Sequence, residues 1–129
     1  MTQLRIPKSR KSYLVPKLNK WEWAYIAGIV DGEGWIGFAH EKKDNYYRPC
    51  IVISNTNKEV IDWINLKTNN PEKFVRVEQT KYKGKICKPI YRSWFRTREA
   101  VVKILEHLLP FLIIKKDKAK DMIKKLMAS

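Results

Sequence analysis

The nonapeptide Ile26-Ala27-Gly28-Ile29-Val30-Asp31-Gly32-Glu33-Gly34 constrains this chain more than any other stretch. A helix begins after Asn19, a good N-cap, with Glu22 three positions on as the capping-box acid, and runs through Trp21, Tyr25, Ile26, Ile29 and Val30. The Gly32/Gly34 pair stops it. Asp31 and Glu33 therefore sit at a helix C-terminus, where the macrodipole is negative, and each opposes the local field by about 0.3–1 kcal/mol. Such a turn asks for a compensating cation. Carboxylates with a backbone carbonyl are hard oxygen ligands suited to Mg²⁺ or Ca²⁺, and alternating glycines let the backbone come close to whatever they hold. Upstream, Ala24, Ala27 and Gly28 place small residues on or near one face, so another helix can approach closely. If that helix is its copy in a second subunit, the two acidic turns meet near a twofold axis, as two-metal phosphodiester cleavage requires.

The rest of the composition points to the same class of partner. At 129 residues and 44% hydrophobic content the chain has material for one core and no second globular unit. Its 27 basic residues against 13 acidic ones leave a net charge of +14, which calls for a polyanion. No apolar run reaches the roughly 18 to 20 residues that cross a bilayer, and the first residues lack the apolar stretch of a signal peptide. The expectation is an intracellular protein, cytoplasmic or organellar, that is not secreted and has no membrane partner. Cys50 and Cys87 lack CxxC spacing, and His40 and His107 join no cluster, so neither a zinc site nor a small-molecule cofactor is expected.

Local punctuation gives the order of elements. Residues 1–18 read as a basic N-terminal arm, carrying Arg5, Lys8, Arg10, Lys11 and Lys17 with no acid, and residues 19–129 as one domain. After the first helix come strands at about 35–43 and 46–54, joined by Asp44-Asn45. Asn57 caps a helix over about 58–67, broken at Asn69-Asn70-Pro71. Strands at about 73–80 and 88–96 follow, linked by the turn Lys81-Tyr82-Lys83-Gly84-Lys85. A helix from Arg98 to Leu109 ends at Pro110, and a last one spans about Asp117 to Met127. The class is α+β in the order αββαββα, with a terminal helix. Trp21, Trp23 and Trp63, at helical spacing, are expected to pack inside.

The nonapeptide resembles the motif of the LAGLIDADG homing endonucleases, with Ile26 for the leading Leu and Glu33 for the last Asp. The length, the single motif copy and the order of elements are similar to the single-motif members, as is Leu109-Pro110-Phe111-Leu112 followed by Lys115. The resemblance covers residues 19–127. It implies a fold with a concave four-stranded antiparallel sheet, and a homodimer that cuts both strands of a long, nearly palindromic double-stranded DNA target. It also implies a gene carried in an intron or another mobile element, and Mg²⁺ as the cofactor, with Ca²⁺ or Mn²⁺ able to substitute in binding. Carried over by position, Glu33, Gly32 (through its carbonyl) and Asp31 are the metal ligands, with Asp31 alternatively a support for the turn. Glu33, Lys115 and Asn55 are the catalytic residues; Lys116 is the alternative to Lys115, and Ser54 to Asn55, because the family's Gln at that place is lacking here. Lys58 adds positive charge nearby. Ala24, Ala27 and Gly28 form the dimer interface.

DNA reading falls to the strands. If Ile36 and Phe38 face the core, then Trp35, Gly37, Ala39, Glu41 and Lys43 face DNA. Similar alternation adds Tyr46, Arg48, Arg76, Glu78, Thr80, Lys88, Arg92 and Trp94, and the second hairpin adds Lys81, Lys83 and Lys85. Residues 73–98 hold nine basic residues against the single acid Glu78, which makes that hairpin the stronger electrostatic footprint. Two other functions fit the charge: an RNA maturase or catalytically inactive sequence-specific DNA-binding relative, and a structural or ribosome-associated basic protein. The second gives the acidic glycine turn no purpose, and binding alone needs no carboxylate facing a phosphate.

Overall fold

Asn19 starts the first helix, α1 (Lys20–Glu33), by a reciprocal cap: its side chain accepts the Glu22 N–H at 3.0 Å, and the Glu22 carboxylate accepts the Asn19 N–H at 3.1 Å. The other oxygen of Glu22 pairs with Lys67 at 3.0 Å, tying the start of α1 to the end of α2 (Lys58–Lys67). These contacts come from a computed structural model of the chain, which describes Tyr13, Leu14 and residues 17–70 and 76–128. Most of the basic arm and part of the first 73–80 strand lie outside the described residues. Within the arm, Tyr13 is a core residue whose hydroxyl donates to the Thr68 carbonyl, and burial pushes its phenol pKa up.

α1 continues through Gly32 rather than stopping there, so both acids of the motif lie in its last turn and Gly34 is its cap. A methyl at Gly34 would stand 2.7 Å from the Val30 carbonyl oxygen and 2.8 Å from its Cα, so close approach of backbone demands glycine at this junction. The chain then enters β1 (Gly34–Glu41), turns through Asn45 at a φ of 53°, and returns as β2 (Tyr46–Asn55). Pro49 is tolerated because it falls where β2 pairs only with β1; the pairing to β6 (Ile90–Phe95) covers Ile51 to Asn55. Asn57 caps α2 by accepting the Val60 N–H at 3.0 Å.

The second hairpin differs from the sequence reading. Its first strand, β3, is Arg76–Glu78, and the expected lysine-rich turn is itself a small ribbon, β4 (Lys81–Tyr82) against β5 (Lys85–Ile86). Only Lys83 and Gly84 make the bend, with φ of 50° and 79°, the two left-handed residues that a tight hairpin of this hand needs. After β6, α3 (Arg98–Leu108) passes into a single 3-10 turn at Leu109–Phe111 around Pro110, and α4 (Lys116–Ala128) follows.

The four-stranded sheet is antiparallel in the order β1-β2-β6-β3. Ile36, Ile51, Ile53 and Phe95 occupy one of its faces and are fully buried with Ile26, Val30, Ile61, Ile64, Ile104, Leu105, Leu108 and Leu126 from the helices. Each such side chain contributes about 1.5–3 kcal/mol relative to exposure. The helices thus cover one face, and the register puts Trp35, Ala39, Arg48, Val52, Arg92 and Trp94 on the other. Among the described residues no helix is long and apolar enough to cross a membrane. Gly34→Ala is expected to lower the unfolding free energy by about 1–3 kcal/mol, the usual cost of overpacking, measured as a lower urea midpoint at unchanged m-value.

Candidate active site and nucleic-acid interface

The acidic end of α1 meets the segment between the 3-10 turn and α4. Asp31 accepts the Ile113 N–H at 2.8 Å and the Lys115 N–H at 3.0 Å, one on each carboxylate oxygen. In return the Lys115 ammonium donates to the Asp31 carbonyl oxygen at 2.7 Å, a cation placed on the negative end of a helix. Burial pushes the Asp31 carboxyl up, but the backbone N–H groups of Ile113, Lys115 and Ile114, together with the Lys115 charge, pull it further down. Its net shift is below the ordinary carboxylate value. Both carboxylate oxygens of Asp31 are thereby engaged by the chain's own backbone.

Glu33 has different surroundings. It is exposed at the last position of α1, and its Oε2 accepts the Asn55 amide at 3.2 Å. Asn55 is oriented by a second bond, its Oδ1 accepting the Asn57 N–H at 2.8 Å, so its donor side is the one turned to Glu33. Ser54 lies on the opposite side of β2, in register with Arg92. Lys116 is exposed at the start of α4, while Lys58 is held by Asp62 at 2.7 Å, which raises its pKa. Glu33, Asn55, Asp31 and Lys115 are therefore linked at one corner, where α1 runs onto the sheet. Among the described residues no three His, Cys, Asp or Glu side chains converge on a metal-sized site. The Glu33 carboxylate and the Gly32 carbonyl are hard oxygen donors of the kind a divalent cation takes.

The interface residues divide. Gly28 and Gly32 are exposed, and a methyl on either would meet nothing within 4 Å. Ala24 is partly exposed beside them. Ala27 is corrected: it is fully buried in the chain's own core and faces away from that surface. Trp21 is corrected too, since it is 66% exposed, whereas Trp23 is buried as expected. Trp21, Tyr25, Gly28 and Gly32 follow one another at helical spacing, a stripe that the sequence displays but whose outward direction it does not. A groove of about 350 Å³ lies at the N-terminal end of this stripe, between Trp21 and Tyr25 on one side and Asn57, Glu59, Val60 and Trp63 on the other. Ile113 and Ile114, 85% and 74% exposed beside Lys115, were not singled out by periodicity because they lie between helices.

Outward strand positions fall as alternation requires. Trp35 is 44% exposed and lies over Gly37, where a methyl would come within 2.6 Å of the indole. Tyr46, Arg48, Arg92, Trp94 and Glu78 share this face by register, and Arg76 pairs with Arg92 along the β3–β6 ladder. Arg48 pairs with Glu41 at 2.7 Å, and Arg92 with Glu78. Lys43 belongs to the β1–β2 turn, Thr80 and Lys88 to the loops flanking the small ribbon, and Lys81, Lys83 and Lys85 to the ribbon itself, all exposed.

No sequence-family model matches the chain, and no curated protein matches it in sequence. Solved structures do. The homing endonuclease I-CvuI, in complex with its target in the presence of Ca, aligns with a TM-score of 0.58 at 17% identity over 84% of this chain and 67% of its own. The archaeal intron-encoded homing endonuclease I-Vdi141I complexed with DNA gives 0.57 at 19% identity, over 81% of this chain and 65% of that one. The LAGLIDADG homing endonuclease I-GzeII in complex with its DNA target gives 0.56 at 20% identity, over 87% of this chain and 37% of that one. This is the LAGLIDADG homing endonuclease fold. The nonapeptide forms the C-terminal part of α1 and its cap, and the Leu-Pro-Phe turn leads to Lys115, which reaches Asp31.

Asp31→Asn is expected to cost about 1–3 kcal/mol, the range for disrupting hydrogen bonds to a charged, partly buried group. With its folded pKa below the unfolded value of about 3.9, Asp31 stabilises fully above that pH, and the contribution fades as pH falls through the folded value. The difference between wild type and variant in thermal unfolding should therefore be large at pH 7 and shrink toward pH 2.

Proposed function

We propose that this chain is a site-specific double-strand DNA endonuclease that acts as a homodimer and depends on a divalent metal. The observation that carries the reading is the pair of roles taken by the two motif acids. Asp31 spends its oxygens on the backbone of Ile113 and Lys115, while Glu33, two residues on, keeps an exposed carboxylate that accepts the Asn55 amide. Glu33 and the Gly32 carbonyl would hold Mg²⁺, with Ca²⁺ or Mn²⁺ able to occupy the same place. When bound, such an ion supplies Lewis acidity for water activation and for the departing oxygen of phosphodiester hydrolysis. Asn55 fixes the Glu33 rotamer, and Lys115 brings positive charge to the scissile phosphate. The presence of DNA in the neighbouring complexes, with Ca or Mg in those of I-CvuI, supports the same substrate and cofactor class.

The exposed stripe on α1 supports the homodimer. Glycine in a helix costs about 1 kcal/mol relative to alanine, and neither Gly28 nor Gly32 is required by anything within the chain. A second copy of α1 packed against them gives the stripe a use, covers Trp21 and Tyr25, and brings a second Glu33 near the first. The inactive or RNA-binding alternative leaves the exposed Glu33 facing a polyanion without a cation.

Incubation with randomised duplex DNA and Mg²⁺ should enrich one cleaved, nearly palindromic site. Glu33→Gln is expected to lower cleavage of that site at least 10²-fold while binding persists, and Lys115→Ala to lower it about 10²- to 10³-fold. Cutting by E33Q at the wild-type rate would remove Glu33 from the mechanism. Gly28→Leu should leave a folded monomer by sedimentation that has lost cleavage; a dimer of unchanged affinity would place the interface elsewhere.

A further inference from the structure

The outward face of the sheet holds two acids at strand positions, Glu41 and Glu78, and a surface that meets a polyanion has no general use for either. Each is paired with an arginine, Glu41 by an ion pair without hydrogen-bond geometry and Glu78 by a hydrogen bond. Glu41 lies diagonally across β1 and β2 from Arg48, since Ala39 pairs with Arg48 and Glu41 with Tyr46; its Oε1 is 2.7 Å from the Arg48 Nε. Glu78 lies diagonally across β3 and β6 from Arg92, and its Oε2 accepts from the Arg92 Nη1. The two pairs thus flank the central β2–β6 ladder, one in each outer pair of strands.

Resting on the DNA-cleavage reading above, we infer that Arg48 and Arg92 read guanines in the major groove and that Glu41 and Glu78 are positioning residues that aim them. A guanidinium has five N–H donors in a planar fork. With one edge fixed by a carboxylate, the remaining donors keep the geometry that matches O6 and N7 of guanine, the commonest specific protein–DNA contact. Among the described residues neither arginine has a further hydrogen bond or ion pair that would occupy them. Their side chains are partly recessed, 39% and 27% exposed, whereas the lysines of the β4–β5 ribbon are exposed. Recessed forked cations suit base edges, and mobile rim ammoniums suit phosphates. In a homodimer each arginine acts once per half-site, so the guanines recur symmetrically about the centre of the target.

The test is a binding selection on randomised duplex DNA at fixed salt, with the full chain as wild type and as Arg48→Lys, Glu41→Gln, Arg92→Lys and Glu78→Gln. Wild type should prefer guanine at two or more positions per half-site, each by about 5- to 150-fold. R48K should erase one of these preferences and R92K another. E41Q should weaken the preference that R48K erases and no other, and E78Q the one that R92K erases, even though each removes a negative charge and raises affinity overall. Thermal unfolding of each variant confirms that the sheet is intact. Equal tightening on all sequences by E41Q and E78Q, with base preferences unchanged, would reduce the acids to charge balance and overturn the inference. Uniform weakening by R48K and R92K, with a salt slope lower by about one unit, would make the arginines phosphate contacts and overturn it as well. Either result leaves the endonuclease reading standing, whereas a wild-type protein that selects no sequence removes both.

Discussion

The Asp31 carboxylate is the joint on which the rest of the candidate site depends. An acid in the last turn of a helix faces the negative end of the macrodipole, yet here its oxygens turn away from that helix to the N–H groups of Ile113 and Lys115. The Lys115 ammonium returns the contact on the Asp31 carbonyl, one of the helix-end acceptors that has no partner within α1. Each segment satisfies polar groups that the other leaves open. The joint fixes where α4 begins, and it holds an ammonium two residues from Glu33 without a direct ion pair between the two.

The helices were legible in the sequence because their signals are local. Asn19 with Glu22, Asn57, and Pro110 each act within a few residues of the boundary they set, and the observed boundaries follow them closely. Strand parity was legible for the same reason: alternation puts Ile36 inside and Trp35 outside. What could not be read depends on distant partners. Asp31 finds its donors 82 and 84 residues away, and Tyr13 reaches Thr68 across 55, so neither has a local trace. Trp21 misleads for a related reason. α1 is apolar on more than one side, and periodicity finds faces without saying which one the sheet and α3 will cover; Trp23 takes the inside and Trp21 is left out.

Charge is arranged on two levels. The excess of lysine raises the attraction of the whole chain for a polyanion, and that attraction carries no sequence information because phosphates are alike everywhere. Specificity needs donors whose direction is fixed before the ligand arrives. The cross-strand pairs of Arg48 and Arg92 supply such direction at the cost of two acids on a face that is otherwise cationic, a cost with no return if net charge were all that mattered.

The glycines separate what the fold needs from what an assembly would need. Gly34 is explained inside the chain by the Val30 backbone, which leaves no room for a larger residue, and Gly37 lies under the Trp35 ring. Gly28 and Gly32 stand in open space on a helix where alanine would be more stable by about 1 kcal/mol at each. Among the described residues nothing packs on them, and a single chain offers one exposed motif carboxylate, whereas the proposed cleavage of both strands would require two such centres. In the proposed homodimer, a partner helix seated on those two glycines would answer both needs at once, because the close approach they permit would also bring two Glu33 side chains together.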